Sequence, residues 1–268
     1  MKKKYKGSSI QSQISLIKRA FEYALDYDYI AKNPFRHITT DRSDSKKIEA
    51  LSVKDMNRFL DFCSKNNRCA HCYDMIYVLF WTGIRASELC GLTLDNIDMD
   101  NRTIKVEKQL QCINHSHVVI PTKTTSGERI IPMTDGVYEC FKRILENRYI
   151  KGDIEPVCYD ENGNEYEGFV FLATRSRKTI VRAHVEEYLC NCIKRFNDAN
   201  TDHPIRKFEP HCCRHTFATN LQYLPPKTLQ YILGHGNIST TMNNYVDVKP
   251  SDEQLAQINA LANQLITN

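Results

Sequence analysis

No run of 18 or more apolar residues occurs anywhere in the sequence, so nothing in it reads as a membrane-spanning helix. Glycine and proline are sparse, at 10 and 9 of 268 residues, and no collagenous or other internal repeat is present. The apolar share of 41% excludes a disordered tail and is enough to fill the core of one large domain or two modest ones. The opening Met1-Lys2-Lys3-Lys4-Tyr5 lacks an apolar stretch, so the chain is not expected to be a secretory precursor. A glycine-rich phosphate loop is also missing, which argues against nucleotide-driven work. Charge of one sign is nearly balanced, with a formal net charge of only +4. Its distribution is uneven: residues 1–47 hold 11 Lys/Arg against 5 Asp/Glu, and the remainder holds 25 against 27. A basic tip on a near-neutral body fits either a polyanionic partner or a solvated face.

Cysteine is abundant, with eleven residues. The odd number, the long chain and the missing export signal point to reduced thiols in a cytoplasmic protein. Cys69-Ala70-His71-Cys72, with Cys63 upstream, has the spacing of half a zinc site, but no matching second half follows. Cys190-x-Cys192 and Cys212-Cys213 are too tight for the usual geometry. The expectation is therefore buried thiols, no metal and no cofactor. A nucleophilic pairing of Cys213 with His211 lacks a third group to orient it. The 14 Tyr and 11 Phe do not read as a base-stacking platform, because Phe59, Phe62, Phe80 and Phe217 fall in apolar helical stripes.

Along the chain, Ile10, Ile14, Ile17, Phe21, Ala24 and Leu25 recur at helical steps, predicting an amphipathic helix from Ser9 to about Tyr27, closed before Asn33-Pro34. Residues 38–50 are polar and read as a linker. Ser52 followed by Asp55 resembles a capping box, so a second domain opens near Leu51. Helix then runs to about Leu92, interrupted at Gly83 and stopped at Gly91. Segments 102–111, 117–123 and 128–133 alternate and carry β-branched residues, predicting three antiparallel strands. A helix over Asp135 to Arg148, a short strand at Phe169 to Leu172 and a mostly helical remainder complete the reading. The fold class is mainly α with a small three-stranded antiparallel sheet.

Three clusters carry chemistry. In Thr82-Gly83-Ile84-Arg85-Ala86-Ser87-Glu88-Leu89 an arginine follows a buried run and needs an anionic partner, which Glu88 one turn on can supply. His211-Cys212-Cys213-Arg214 follows Pro210 at an expected helix start, where a spacing of three puts His211 and Arg214 on one face, suited to an oxyanion. In the third, Gly234 and Gly236 let the chain turn about His235, and Ser239 or Thr240 caps a helix carrying Tyr245. Taken singly, each has an ordinary structural explanation.

In sequence order they resemble the tyrosine recombinases, or phage integrases. The likeness rests on Thr82-Gly83-Ile84-Arg85-x-x-Glu88-Leu89, His211-x-x-Arg214, Leu233-Gly234-His235, Ser239-Thr240-Thr241 and Tyr245, and it spans about residues 50 to 250. It implies a recombinase catalytic domain over 51–249 and a partial helical core-binding segment over 1–37, whose Asn33-Pro34 matches the end of that family's clamp. The function implied is site-specific DNA recombination or integration for a mobile element, through a 3′-phosphotyrosine and a Holliday junction, without metal or ATP. Tyr245 is the implied nucleophile, Arg85 and Arg214 the phosphate clamp, His211 the proton carrier and His235 a phosphate hydrogen-bonding group. The leaving-group acid falls to Lys123 at a hairpin turn, with Lys105 and Lys108 as competitors, and Glu88 orients Arg85. The implied partners are double-stranded DNA with inverted-repeat core sites and three further copies of the chain in a tetramer. Arg175, Arg177 and Lys178 are candidate phosphate contacts. A C-terminal helix over Ser251 to Ile266, within 250–268, packs on its own domain or docks on a neighbouring subunit. A type IB topoisomerase and a silent DNA-binding module are the alternatives.

Overall fold

In the computed structural model the described residues are 7–38, 49–122, 125–149, 155–221, 225–234 and 260. The predicted C-terminal helix (apart from Ala260), Lys123, His235, Tyr245 and most of the predicted linker lie outside them.

The chain divides into two compact units, Met1–Ile48 and Glu49–Asn268. In the first, helix α1 (Gly7–Asp26) starts two residues earlier than the hydrophobic pattern predicts. Asn33 forms the turn after it: its side chain accepts from the Phe35 amide at 2.9 Å and donates to the Lys18 carbonyl at 3.4 Å. That turn brings the Phe35 ring to 4.9 Å from Phe21. Leu16 remains 69% exposed, and no described residue of this unit is buried.

The second unit is built around one helix. Ser52 accepts from the Asp55 amide at 3.0 Å and opens α2 (Val53–Lys65), as its capping pattern predicts. Next comes α3 (Ala70–Thr82), whose residues from Met75 to Thr82 are all buried. It packs against α2, α5 (Asp135–Tyr149) and α7 (Pro210–Asn220), which is why its apolar residues show no one-sided stripe. Burial of a side chain such as Phe80 contributes about 1.5–3 kcal/mol. Gly83 ends α3 at φ +62, and the short α4 (Ala86–Cys90) follows at once. Among the described residues the remaining α-helices are α6 (Arg182–Ala199) and α8 (Pro226–Leu233), the latter closed by Gly234 at φ +61.

The strands depart from the sequence reading in their pairing. A three-stranded antiparallel sheet is present, but its order is β1 (Ile97–Asp98), β2 (Thr103–Val106), β5 (Arg129–Pro132). The segment 102–111 is not one strand. It breaks at Glu107, whose carboxylate is held by Asn96 at 2.8 Å and Lys105 at 2.5 Å, and β3 (Lys108–Ile113) joins a second sheet. That sheet runs β3, β4 (Ser116–Pro121), β6 (Cys158–Asp160), β7 (Glu165–Tyr166), with β4 and β6 parallel. Asn114 and His115, both at positive φ, make the tight β3–β4 turn. The predicted strand at Phe169 to Leu172 is reduced to two isolated bridges, Thr93 with Phe169 and Leu172 with Thr179.

Candidate active site

The turn after α3 and the end of α8 meet, and four charged side chains are set between them. Arg85 caps α4: its backbone N–H donates to Glu88 Oε2 at 3.1 Å, and its guanidinium donates to Glu88 Oε1 at 2.5 Å. Its other arm reaches the Gly234 carbonyl at 3.0 Å. Arg214, on α7, donates to the Gly83 carbonyl at 2.8 Å and to the Leu233 carbonyl. A third arginine completes the set. Arg129 on β5 donates to the Ile232 carbonyl at 2.6 Å, the Gly127 carbonyl at 2.8 Å and Glu88 Oε2 at 2.8 Å.

Three arginines from three elements thus serve the consecutive carbonyls 232, 233 and 234. These are the unsatisfied acceptors at the C-terminus of α8, where the helix dipole is negative. The cations dock on the helix end, and the end of the helix fixes their spacing. Two glycines permit the approach. A Cβ on Gly83 would lie 2.5 Å from the Phe217 ring, and one on Gly234 would lie 3.0 Å from both Arg129 Nη1 and the Ser126 carbonyl.

The electrostatics favour an added anion. The Glu88 side chain is 2% exposed; burial by itself raises its carboxyl pKa, but Arg129 and then Arg85 outweigh that and hold it below the ordinary carboxylate value. Burial, followed by repulsion from Arg85 and Arg129, pushes the Arg214 guanidinium below its ordinary value, and it remains cationic at neutral pH. Three cations facing one carboxylate leave a positive surplus. Arg85 is the arginine through which solvent reaches it, with 29% of its side chain exposed against 0% for Arg129. Each of Arg85 and Arg214 has N–H donors beyond those committed to the fold.

His211 opens onto the same place from the first turn of α7, where Pro210 takes the N-terminal position as predicted. Its ring meets His215 edge-on at 4.8 Å. Partial desolvation, then the positive neighbours His215, Arg214 and Arg85, lower its pKa, so the imidazole is neutral at neutral pH. Arg85, Arg214, His211 and Glu88 are therefore brought together. Lys123, His235 and Tyr245 lie outside the described residues. Ser126 and Gly127, shortly after Lys123, line the floor beside Gly234 and Arg129. The competitors of Lys123 are engaged elsewhere: Lys105 pairs with Glu107, and Lys108 with Glu107 and Asn96. Arg175 and Lys178 are exposed in a turn closed by the Ala173 amide on the Lys178 carbonyl at 2.9 Å.

Arg129 is the residue that sequence reading missed. Its signal was the alternation of β5, in which Arg129 and Ile131 are buried while Ile130 is 41% exposed. Hydropathy favours the opposite face, and the buried carboxylate of Glu88 together with the Ile232 and Gly127 carbonyls reverses it. Among the described residues, the His, Cys and carboxylate atoms close enough to share one ion belong to Cys63, Cys69 and Cys192, away from the arginines.

Known proteins resemble this chain over most of its length. The family model described as the phage integrase family matches residues 49–252. The transposase from transposon Tn916 of Enterococcus faecalis is 33% identical over 248 residues, covering 90% of this chain. The chain spans 58% of that relative's length. A tyrosine recombinase XerC-like protein of Caldanaerobacter subterraneus subsp. tengcongensis is 30% identical, covering 92% of this chain and 64% of the relative. Among solved structures, the Tn1549 transposon integrase in complex with transposon right end DNA superposes with a TM-score of 0.80 at 33% identity, covering 92% of this chain and 77% of that one.

Proposed function

The chain belongs to the phage integrase family, the tyrosine recombinases, and from that premise we propose that it is a site-specific recombinase that integrates or excises a mobile element. It cleaves and rejoins double-stranded DNA at inverted-repeat core sites, as a tetramer in the cytoplasm. The observation that carries this reading is the docking of Arg85 and Arg214 on the adjacent carbonyls of Gly234 and Leu233, with His211 beside them.

Hydrolysis-resistant phosphodiesters need charge neutralised on the non-bridging oxygens, a nucleophile, and a proton for the leaving oxygen. Arg85 and Arg214 supply the first, with guanidinium planes that match two phosphate oxygens. Tyr245 forms a bond to phosphorus as the bond from phosphorus to the 5′ oxygen breaks. Neutral His211 takes the phenol proton, Lys123 gives one to the departing 5′ oxygen, and His235 donates to a non-bridging oxygen. The phosphotyrosine keeps the energy of the original diester, so rejoining another 5′ hydroxyl needs neither ATP nor metal. Two such exchanges pass through a Holliday junction. Residues 1–37 act as part of a DNA clamp, 38–50 as the linker and 51–249 as the catalytic domain, and the helix within 250–268 docks on a neighbouring subunit.

The Tn1549 relative was solved with transposon-end DNA, so a transposon-end duplex is the first substrate to try. A nicked suicide duplex of that kind should trap a covalent adduct on the full chain, and Tyr245→Phe should form none. An adduct that survives Tyr245→Phe overturns the assignment. Site-independent relaxation of supercoils would instead mark a topoisomerase, and binding without any adduct in the wild-type chain a silent module.

A further inference from the structure

Four of the eleven cysteines share one place in the core, at the end of α3 remote from the arginines. Cys63 sits in the last turn of α2, Cys69 precedes α3, Cys72 lies in its first turn, and Cys192 comes from the middle of α6. Between α2 and α3 the chain turns tightly, with the Cys69 amide on the Asn66 carbonyl at 2.8 Å and the Cys72 amide on the Cys69 carbonyl at 3.0 Å. The sulfurs of Cys63, Cys69 and Cys192 all lie within 4.8 Å of one another, and that of Cys72 is 3.5 Å from that of Cys192. All four are buried, none more than 3% exposed.

We infer that Cys63, Cys69, Cys72 and Cys192 form a tetrathiolate site for a structural zinc ion. Zinc–sulfur bonds of about 2.3 Å in a tetrahedron place sulfurs about 3.8 Å apart, against 3.5 Å for Cys72–Cys192 and at most 4.8 Å among Cys63, Cys69 and Cys192 here. A disulfide joins two sulfurs at about 2.05 Å and leaves the other two unexplained. Packing alone does not gather sulfur either: Cys90 is buried with only desolvation acting on its thiol, and Cys158 has a hydroxyl for its neighbour.

Four sulfurs meeting at one buried point offer a donor set of one soft kind, which suits zinc. Binding forms four zinc–sulfur bonds and releases the protons the thiols still hold; no electron moves. The complex carries two net negative charges. Arg195, whose charge acts on Cys69 and Cys72, offsets part of that charge, and His71, with Nε2 3.7 Å from the Cys72 sulfur, offers it a ring nitrogen. Both border an open cleft of about 850 Å³ that reaches Cys72 and Cys192, giving the ion an access route.

The ion would tie the start of α3 to the end of α2 and to α6, across 120 residues of sequence. The full chain, purified under reducing conditions without chelator or added metal, should carry about one zinc ion per chain by elemental analysis. Cys192→Ser should retain less than about a tenth of that and melt at lower temperature. Should Cys192→Ser fail to fold, wild-type protein produced with cobalt(II) in place of zinc gives the same answer. It should show the intense near-ultraviolet sulfur-to-cobalt absorption and the visible bands of a tetrahedral tetrathiolate. Cys112→Ser, at an exposed position on β3, should keep the full zinc content. Wild-type protein with neither zinc nor cobalt absorption, or with a Cys72–Cys192 disulfide in a non-reduced peptide map, overturns the site. The metal count needs no DNA, so it stands or falls apart from the recombinase reading.

Discussion

Helix α3 ends in opposite chemistries. At its C-terminus, Gly83 turns the chain and delivers Arg85 into a cluster of three cations and one carboxylate. At its N-terminus, about 20 Å away along 13 residues, it starts among four thiols. Both clusters are largely buried, and burying charge costs free energy unless a partner answers it, whereas a neutral thiol is buried as a small apolar group. At the arginine end the chain supplies the partners itself, as Glu88 and three helix-end carbonyls. At the thiol end the chain gathers four sulfur ligands, and the proposed zinc ion would join them from outside. The apolar residues Met75 to Trp81 separate the two, so each end can be tested with the other left in place.

The largest effect is expected from Glu88→Gln, which leaves Arg129 buried without its carboxylate and should cost about 3–5 kcal/mol in urea denaturation. Wild-type stability in that variant would break the claim that one carboxylate anchors the arginine end. Because the folded-state pKa of Glu88 is lowered, its contribution is fully present above 4.5, the value of an unperturbed glutamate. It is lost as pH falls through the lower folded value. The acid limb of the wild-type stability curve should therefore flatten in the variant.

Arg85→Ala comes next. It should slow single-turnover cleavage by about 10²–10³-fold, or about 2.7–4 kcal/mol. Its effect on stability should be smaller than that of Glu88→Gln, since its side chain is 29% exposed. Unchanged cleavage would remove Arg85 from the phosphate clamp. Gly83→Ala should destabilise by about 1–3 kcal/mol, from the left-handed backbone together with the Phe217 contact at 2.5 Å. A neutral result in thermal denaturation would mean that the α3 turn adjusts freely.

The smallest expected quantity is the coupling between the ends. The destabilisations of Glu88→Gln and Cys192→Ser should add to within about 0.3–0.5 kcal/mol in a double-mutant cycle, as for distant sites without shared partners. A coupling several times larger would show that α3 transmits strain from its thiol end to its arginine end, and would join what the comparison separates.

Much of the arginine end was legible in the sequence because its signals are local. The glycine before Arg85, the spacing of Glu88, and Pro210 ahead of His211 and Arg214 are each read within one or two helical turns. Arg129 was not legible, since its place on the buried face of β5 depends on a carboxylate 41 residues earlier. The meeting of Cys192 with the other three thiols was not legible for the same reason. Cys63, Cys69 and Cys72 were read as half a site, and Cys192 was dismissed with its neighbour Cys190 as too tight a pair. In the fold Cys192 turns to the core while Cys190 stays half-exposed. The strand break at Glu107 was likewise invisible, because it depends on Asn96 and two lysines closing around a side chain.

The sequence by itself determined the helical class, the family pattern from Thr82 to Tyr245, and the helix stops at Gly83 and Gly234. All of these follow from periodicity, capping and turn chemistry, which act over a few residues. Only the tertiary structure decided which arginines share the carbonyls at the end of α8, which strand pairs with which, and which cysteines meet. Those outcomes are set by charge and hydrogen-bond satisfaction between segments 40 to 150 residues apart. Such partners leave no period in the chain and appear only when the core closes around them.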